Sequence, residues 1–244
     1  MRNLRALVEY DGTNYHGFQR QPNAITIQEV LETSLADLTG EDLEIIGASR
    51  TDSGVHALAQ VVNFKTESPI PIEKFAFAWT NVLPDDILIK KVEKVSWDFH
   101  ARYFATGKIY EYHILNQRLP SVFERNYTHH IKKKLNYKDL VEAADYLVGT
   151  YDFTSFQAAG CGANTTVRTI NSLTVQGIDS KLIFRIEGDA FLYKMVRNIV
   201  GTLIEIGQGK LNKDNLVEIL AAKDRTVAGP TAPACGLRLI KVKY

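Results

Sequence analysis

One order of predicted elements (strand, helix, strand, strand, helix, strand) occurs twice in this chain and limits its fold more than any other feature. The spacing of apolar residues gives this order once over residues 1–95 and again from residue 108 onward. The order is typical of ferredoxin-like βαββαβ folds with an antiparallel sheet. The sequence therefore predicts an α+β protein whose two βαββαβ halves form one extended antiparallel sheet with a central cleft.

Local signals place individual elements within the two halves. Thr26, with Glu29 three residues later, forms a capping box that predicts the start of a helix. The apolar segment 191–207 predicts a buried helix, and segment 42–47 is expected to be a strand.

The linker between the halves is predicted near residues 96–106. We therefore expect one domain over residues 1–100 and a second over residues 101–244. Antiparallel sheets usually leave one face open, and RNA-binding domains of this topology stack bases on that face.

Several classes of protein are not expected from the composition. No run of about 18 apolar residues occurs, so no membrane-spanning helix is expected, and the N-terminal apolar run is interrupted by arginine, unlike a signal peptide. Cys161 and Cys235 lie far apart and outside any zinc-binding spacing, so neither a structural metal nor a disulfide framework is expected. A reduced, cytoplasmic protein is the resulting expectation.

The net charge of +1 gives no indication of a nucleic-acid partner, but the distribution of charge does. Residues 102–138 contain eight Lys or Arg and only two acids, Glu111 and Glu124, with aromatic residues between them. The cations are Arg102, Lys108, Arg118, Arg125, Lys132, Lys133, Lys134 and Lys138. Cations beside aromatic rings suit a nucleic-acid strand, although lysines are also common on exposed strands that avoid aggregation.

Asp52 lies in the short polar segment SRTDSG, between two predicted strands. On its own the segment is typical of an ordinary turn, in which the aspartate caps its own backbone. The alternative is a turn that presents Asp52 for chemistry. Arg50 and His56 lie nearby in sequence and do not decide between these readings.

Arg197 is a cation in a mostly apolar predicted helix. A buried guanidinium requires a partner, which would be a local ion pair or a carboxylate from the other half of the chain. Alternatively, the stem of Arg197 lies along apolar surface while its charged head reaches water. Tyr110 and Tyr112 share one face of a predicted strand. They serve either as core residues or, at a cleft, as a surface on which a base stacks.

Three common catalytic motifs are absent: the phosphate-binding loop, the dinucleotide-binding glycine motif and the nucleophile elbow. A glycosidase with two carboxylates is not excluded by spacing. However, the conspicuous positions offer one acid beside arginines.

The chain resembles the tRNA pseudouridine synthase A family along nearly its whole length. The similar segments are EYDGTNYHGFQRQ (9–21), IQEVLE (27–32), SRTDSGVHALAQ (49–60), KIYEY (108–112), DFTSF (152–156), FLYKMVRNIVGTLIEIG (191–207) and AAKDRTVAGPTAPACGL (221–237). Ser49 and Ser53 differ from the Gly and Ala that are frequent in the family, and both are small enough for a turn. The resemblance implies the pseudouridine synthase fold and conversion of uridine to pseudouridine at positions 38, 39 and 40 of the tRNA anticodon stem-loop.

The resemblance also implies roles for individual residues. Asp52 matches the catalytic aspartate, Arg197 the arginine that pairs with it, Tyr110 the tyrosine that stacks on the target base, and Arg50 an arginine associated with base extrusion. It further implies a homodimer that binds tRNA and needs no cofactor or metal.

The chemistry that these residues would perform is isomerisation, in which the bond from ribose C1′ to base N1 breaks and a bond to C5 forms. The target base must first leave its stack. Asp52 would then act covalently at the sugar, covalently at the base, or as a base toward the ribose, and each version needs an ionised carboxylate. The rival hypothesis is a non-catalytic RNA-binding module of the same topology.

Overall fold

The computed structural model describes all 244 residues, which form two compact units. The first unit comprises Met1–Thr106 and Arg238–Tyr244, and the second comprises Gly107–Leu237. The division after Thr106 lies close to the boundary expected at residue 100. The last seven residues group with the first unit, whereas the sequence had assigned them to the second.

The first unit has the predicted order of a strand, a helix, two strands, a helix and a strand. Its elements are β1 (Arg2–Tyr10), α1 (Ile27–Thr39), β2 (Ile46–Gly47), β3 (His56–Thr66), α2 (Ile72–Thr80) and β4 (Ile87–Lys94), and it also includes β10 (Leu237–Lys243). The strands are arranged in the order β4, β1, β3, β10, with β2 also paired to β3. β1 pairs antiparallel with both β3 and β4.

The core of the first unit lies between this sheet and its two helices. Thr26 caps α1 as predicted, since its side chain accepts a hydrogen bond from the backbone N–H of Glu29. Phe64 of β3 and Trp79 of α2 are fully buried and pack edge to face, with ring centroids 5.3 Å apart. The indole N–H of Trp79 donates to the hydroxyl oxygen of Ser34 in α1 over 2.8 Å, which links the two helices.

The second unit contains five strands and three helices. Its elements are β5 (Gly107–Leu115), β6 (His129–His130), α3 (Tyr137–Asp145), β7 (Gly149–Asp152), β8 (Val167–Ile178), β9 (Lys181–Gly188), α4 (Met195–Gly207) and α5 (Asn215–Ala222). The strands are arranged in the order β5, β9, β8, β7, and these neighbours pair antiparallel. The short β6 pairs in parallel with the other edge of β5.

Tyr110 and Tyr112 share one face of β5, as the strand period predicts. Their cross-strand partners on β9 are Ile186 and Phe184, both fully buried. α3 and α4 contact the sheet through β8 and β5. Both tyrosines therefore lie on a face of β5 that is buried in the second unit.

Two predicted strands differ from the structure. The strand expected over 42–47 is reduced to Ile46–Gly47, because the backbone N–H of Ile45 donates to the Glu32 carboxylate of α1 instead of a strand partner. The closing strand β10 was expected to complete an antiparallel second half. In the structure it pairs in parallel with β3, with Arg238 opposite His56 and Leu239 opposite Ala57, and the sequence did not predict this parallel pairing.

The buried helix predicted over 191–207 begins later, at Met195. Lys194, which precedes it, has a left-handed backbone with φ of 58°. The Tyr193 carbonyl accepts from the N–H of Ala158, a contact outside the helix, and the regular helix forms beyond it. No helix in the structure is long and apolar enough to cross a lipid bilayer.

The hydrogen bond from Trp79 to Ser34 should make a measurable contribution to the stability of the protein. Ser34→Ala leaves the buried indole N–H without its acceptor and is expected to lower the free energy of unfolding in urea by about 1–3 kcal/mol. Thr33→Ala, at an exposed position on the same helix, is the matched control and should change it by less than about 0.5 kcal/mol. Equal effects of the two substitutions would contradict the assigned role.

Candidate active site

Asp52 lies in the loop between β2 and β3, at residues 48–55, which we call the Asp52 loop. The backbone N–H of Val55 donates to the Asp52 carbonyl over 3.1 Å, and Gly54 is left-handed with φ of 75°. Asp52 thus begins a tight turn, as its sequence predicted. The turn alone does not show whether Asp52 has a structural or a catalytic role. The contacts around the turn are needed to decide between them.

The Asp52 loop is held by the segment that follows β1, residues 10–18, which we call the clamp segment. The carbonyl of Thr51 accepts from the N–H of Phe18 over 3.0 Å, and the carbonyl of Tyr15 accepts from the N–H of Gly54 over 3.2 Å. The hydroxyl groups of Tyr10 and Thr51 are hydrogen-bonded at 2.7 Å. Backbone groups on both sides of Asp52 are therefore fixed by a distant part of the chain.

Two glycines of the clamp segment make this close approach possible. A Cβ atom at Gly12 would lie 2.1 Å from the carbonyl oxygen of Val55, and one at Gly17 would lie 2.8 Å from the carbonyl oxygen of Thr51. Gly17 also has a φ of 92°, which side chains disfavour. Both positions require glycine because two backbones meet there.

His56 ties the base of the Asp52 loop to the same segment. Its buried ring nitrogen Nδ1 accepts from the N–H of Gly12 over 3.1 Å and lies 3.0 Å from a carboxylate oxygen of Asp11. His56 therefore helps to hold the loop at its junction with β3.

The residues of the Asp52 loop differ in their exposure to solvent. Thr51 and Val55 are buried, Asp52 is half-buried, and Arg50 and Ser53 are exposed. The buried residues anchor the loop, and Arg50 extends from it. Asp52 belongs to a backbone that is fixed on both sides.

Tyr110 belongs to the second unit, where β5 holds it among buried residues. Its side chain is 7% exposed, and its ring meets the ring of Phe191 edge to face with centroids 5.3 Å apart. Tyr112, two residues on, donates its hydroxyl hydrogen to the Pro233 carbonyl over 2.8 Å. Burial raises the pKa of Tyr112, so this phenol stays protonated.

Arg197 lies in the first turn of α4 and is fixed by Ala232. Its Nε donates to the Ala232 carbonyl over 2.8 Å, and the Ala232 N–H donates to the Arg197 carbonyl over 3.1 Å. The side chain is half-buried. The Nε bond sets the plane of the guanidinium and hence the direction of its two terminal nitrogens.

The four predicted site residues are divided between the two units. Asp52 and Arg50 belong to the Asp52 loop of the first unit, and Tyr110 and Arg197 belong to the second. Within the second unit, the Arg197 charge acts on the phenol of Tyr112, where it opposes the effect of burial. The pairing of Asp52 with Arg197 stays a prediction.

Sequence reasoning did not assign roles to the clamp segment or to residues 225–232, which support Asp52 and Arg197 respectively. Both segments lie within the motifs that carry the family resemblance, EYDGTNYHGFQRQ and AAKDRTVAGPTAPACGL. Their glycines were the available signal, because a glycine in a loop often marks a close approach of two backbones.

The cations of segment 102–138 are mostly at the surface. Arg118, Lys132 and Lys134 are exposed and have no ion-pair partner, whereas Lys138 pairs with Glu142. Exposed cations of this kind suit the phosphates of a nucleic acid. Across the structure, no group of three or more His, Cys, Asp or Glu side chains could hold a metal ion.

Comparison with known proteins identifies the family. A profile described as tRNA pseudouridine synthase matches residues 6–104 and 143–244. The chain is 50% identical to tRNA pseudouridine synthase A of Acetivibrio thermocellus over 244 residues, which is 100% of both chains. It is 51% identical to the protein of that name from Thermoanaerobacter sp. strain X514 and 47% identical to that of Clostridium acetobutylicum, again over 100% of each chain.

The chain therefore belongs to the tRNA pseudouridine synthase family. This confirms the family predicted from the sequence and makes the chain an isomerase of uridine in tRNA. A non-catalytic RNA-binding module, the rival hypothesis, is not favoured.

Because the clamp segment lies against the Asp52 loop, a larger side chain at Gly12 should displace the loop and destabilise the protein. Gly12→Ala brings a Cβ against the Val55 carbonyl and should displace the Asp52 loop, at a cost of about 1–3 kcal/mol in the free energy of unfolding. Hydrogen–deuterium exchange should then be faster at the amides of Gly54 and Val55. Gly162→Ala is the matched control, because a Cβ there meets nothing within 4 Å. Unchanged exchange at both amides would show that the clamp does not hold the loop.

Proposed function

We propose that this protein converts uridine to pseudouridine at positions 38, 39 and 40 of the tRNA anticodon stem-loop, with Asp52 as its catalytic residue. The observation that carries the proposal is the clamped Asp52 loop, which fixes the backbone on both sides of one carboxylate. A loop that served only to connect two strands would need neither the clamp segment nor its two close glycine contacts. The identity of 50% to tRNA pseudouridine synthase A supports the same substrate.

The reaction rearranges one nucleoside, so its atoms balance without a second reactant. The bond from C1′ to N1 breaks, the base turns, a bond from C1′ to C5 forms, and the C5 proton is lost as N1 gains one. Asp52 acts in its ionised form. We propose that Arg197 pairs with Asp52 and keeps it ionised, because a nearby cation favours the charged form of a carboxyl group.

Tyr110 is proposed to hold the detached uracil. Its ring is fixed by the edge-to-face contact with Phe191 and by the strand beneath it, and a fixed aromatic ring is a suitable surface for stacking a base. A held base stays close to the sugar while it turns.

Arg50 is proposed to assist extrusion of the target base. Its exposed side chain lies two residues before Asp52, so it can reach the helix from which the base leaves. Extrusion costs a few kcal/mol, and a cation that occupies the vacated position or its phosphates lowers that cost. The exposed cations Arg118, Lys132 and Lys134 are proposed to bind further tRNA phosphates.

A homodimer, a cytoplasmic location and independence from cofactor and metal belong to the same proposal. They rest on the resemblance to the tRNA pseudouridine synthase A family, which implies a homodimer that needs no cofactor or metal. Sedimentation velocity at micromolar concentration should give a mass of twice the 27.4 kDa chain.

Replacement of the carboxylate tests the proposal directly. Asp52→Asn is expected to lower tritium release from tRNA labelled at uridine C5 by roughly 10³–10⁴-fold, because the reacting charge is lost. Binding of tRNA should stay within a few-fold, since the amide has the same shape.

Asp42→Asn makes the same change at an exposed position and should release tritium at the wild-type rate. The mass of the tRNA should not change on reaction, whereas a glycosidase would remove a base. Tritium release by Asp52→Asn at the wild-type rate would exclude the catalytic role of Asp52.

A further inference from the structure

The segment that holds Arg197 is itself held against α4 by unusually close contacts. A Cβ at Gly201 would lie 1.7 Å from the carbonyl oxygen of Pro230, and a Cβ at Gly229 would lie 2.7 Å from the Cα of Thr202. The N–H of Gly229 donates to the hydroxyl oxygen of Thr202 over 2.9 Å. Residues 229–232 therefore lie directly on the first two turns of the helix that carries Arg197.

Three polar side chains fix the middle of this segment. Asn198 is fully buried, and its Oδ1 accepts from the Thr231 hydroxyl over 2.6 Å and from an Arg225 nitrogen over 3.1 Å. The same Arg225 nitrogen lies 3.2 Å from the Thr231 oxygen, and the Asn198 amide nitrogen donates to the Phe156 carbonyl over 2.8 Å. The polar groups of Asn198 are all hydrogen-bonded, so its rotamer is fixed.

Arg225 is an unexpected choice for an anchor, because all its hydrogen-bond partners are neutral. Besides Asn198 and Thr231 it donates to the Ala228 carbonyl, and no carboxylate lies within ion-pair distance. It is half-buried, and burial lowers its pKa. Its hydrogen bonds therefore join α4 to residues 228 and 231 through a single side chain.

The geometry points to a role for this cluster: we propose that Arg225, Asn198 and Thr231 are positioning residues that set the direction of the Arg197 guanidinium through the backbone of Ala232. Thr231 and Ala232 are consecutive, so the side chain that binds the cluster and the carbonyl that binds Arg197 Nε belong to adjacent residues. Asn198 follows Arg197 on α4, which closes the cycle. This proposal rests on the proposed function, because it takes Arg197 as the residue that meets Asp52.

The kinetic effect follows from this arrangement. If the Thr231 anchor is lost, the Ala232 carbonyl can move and the guanidinium is held less firmly at Nε, while none of the side chains proposed to bind tRNA is altered. A displacement of a catalytic group by about 1 Å can lower the rate by as much as about 10²-fold. The expected signature is therefore a lower kcat with an unchanged KM.

The test first compares three single variants of the 244-residue chain in the tritium-release assay. Thr231→Ala should lower kcat about ten-fold and change KM for tRNA by less than about two-fold. Thr231→Ser, which retains the hydroxyl, should restore kcat to within about two-fold of wild type. Thr226→Ala is the matched control, because Thr226 is exposed in the same segment and hydrogen-bonds only with Asp224.

The decisive measurement is made in an Arg197→Lys background, which keeps the charge but lacks the Nε donor and the planar fork. If Thr231 acts through Arg197, adding Thr231→Ala to Arg197→Lys should lower kcat by less than about two-fold further, because coupled positions are not additive. The same ten-fold loss in both backgrounds, or a wild-type kcat for Thr231→Ala, would overturn the proposal. If Thr231→Ala does not fold, as judged by circular dichroism, Arg225→Lys is measured instead with the same expectations.

Asp52→Asn separates this inference from the proposed function. If Asp52→Asn releases tritium at the wild-type rate, the proposed catalytic role of Asp52 is wrong whatever Thr231 does. If Asp52→Asn is inactive and Thr231→Ala has wild-type kcat, only the positioning role is wrong.

Discussion

The hydrogen bonds between the clamp segment and the Asp52 loop are the interaction on which the proposed role of Asp52 depends. Fixing the backbone of an irregular loop costs about 1–2 kcal/mol per residue in conformational entropy. The bonds to Thr51 and Gly54, with the contact of Tyr10, offset that cost on both sides of Asp52. They form only because Gly12 and Gly17 allow two backbones to touch.

In the second unit, the Arg197 side chain is likewise fixed by a segment distant in sequence. Arg197 belongs to a regular helix, and the Ala232 carbonyl fixes its long side chain at Nε. The segment that supplies this carbonyl lies on α4 because Gly201 and Gly229 permit it. In both units a residue proposed for chemistry is held by a segment distant in sequence, and a pair of glycines makes the approach possible.

Local sequence signals predicted the elements whose formation is local. The Thr26 cap, the helices and the two-residue period of Tyr110 and Tyr112 follow from neighbouring residues, and the family follows from long motifs in order. These local signals gave wrong element boundaries where contacts with segments distant in sequence determine the structure. Glu32 takes the N–H of Ile45 and shortens β2, and a contact of Tyr193 with Ala158 precedes the late start of α4 at Met195. The clamp and the Arg197 anchor were missed for the same reason, since they join segments far apart in sequence.

The parallel pairing of β10 with β3 has a consequence for the order in which the protein can mature during synthesis. Arg238 and Leu239 pair with His56 and Ala57, directly behind the Asp52 loop. A ribosome must therefore translate the chain from β3 through to β10 before the strand that flanks this loop can dock. A nascent chain that stops short of Arg238 lacks that neighbour, so the backbone behind the Asp52 loop is completed only after the second unit has been synthesised.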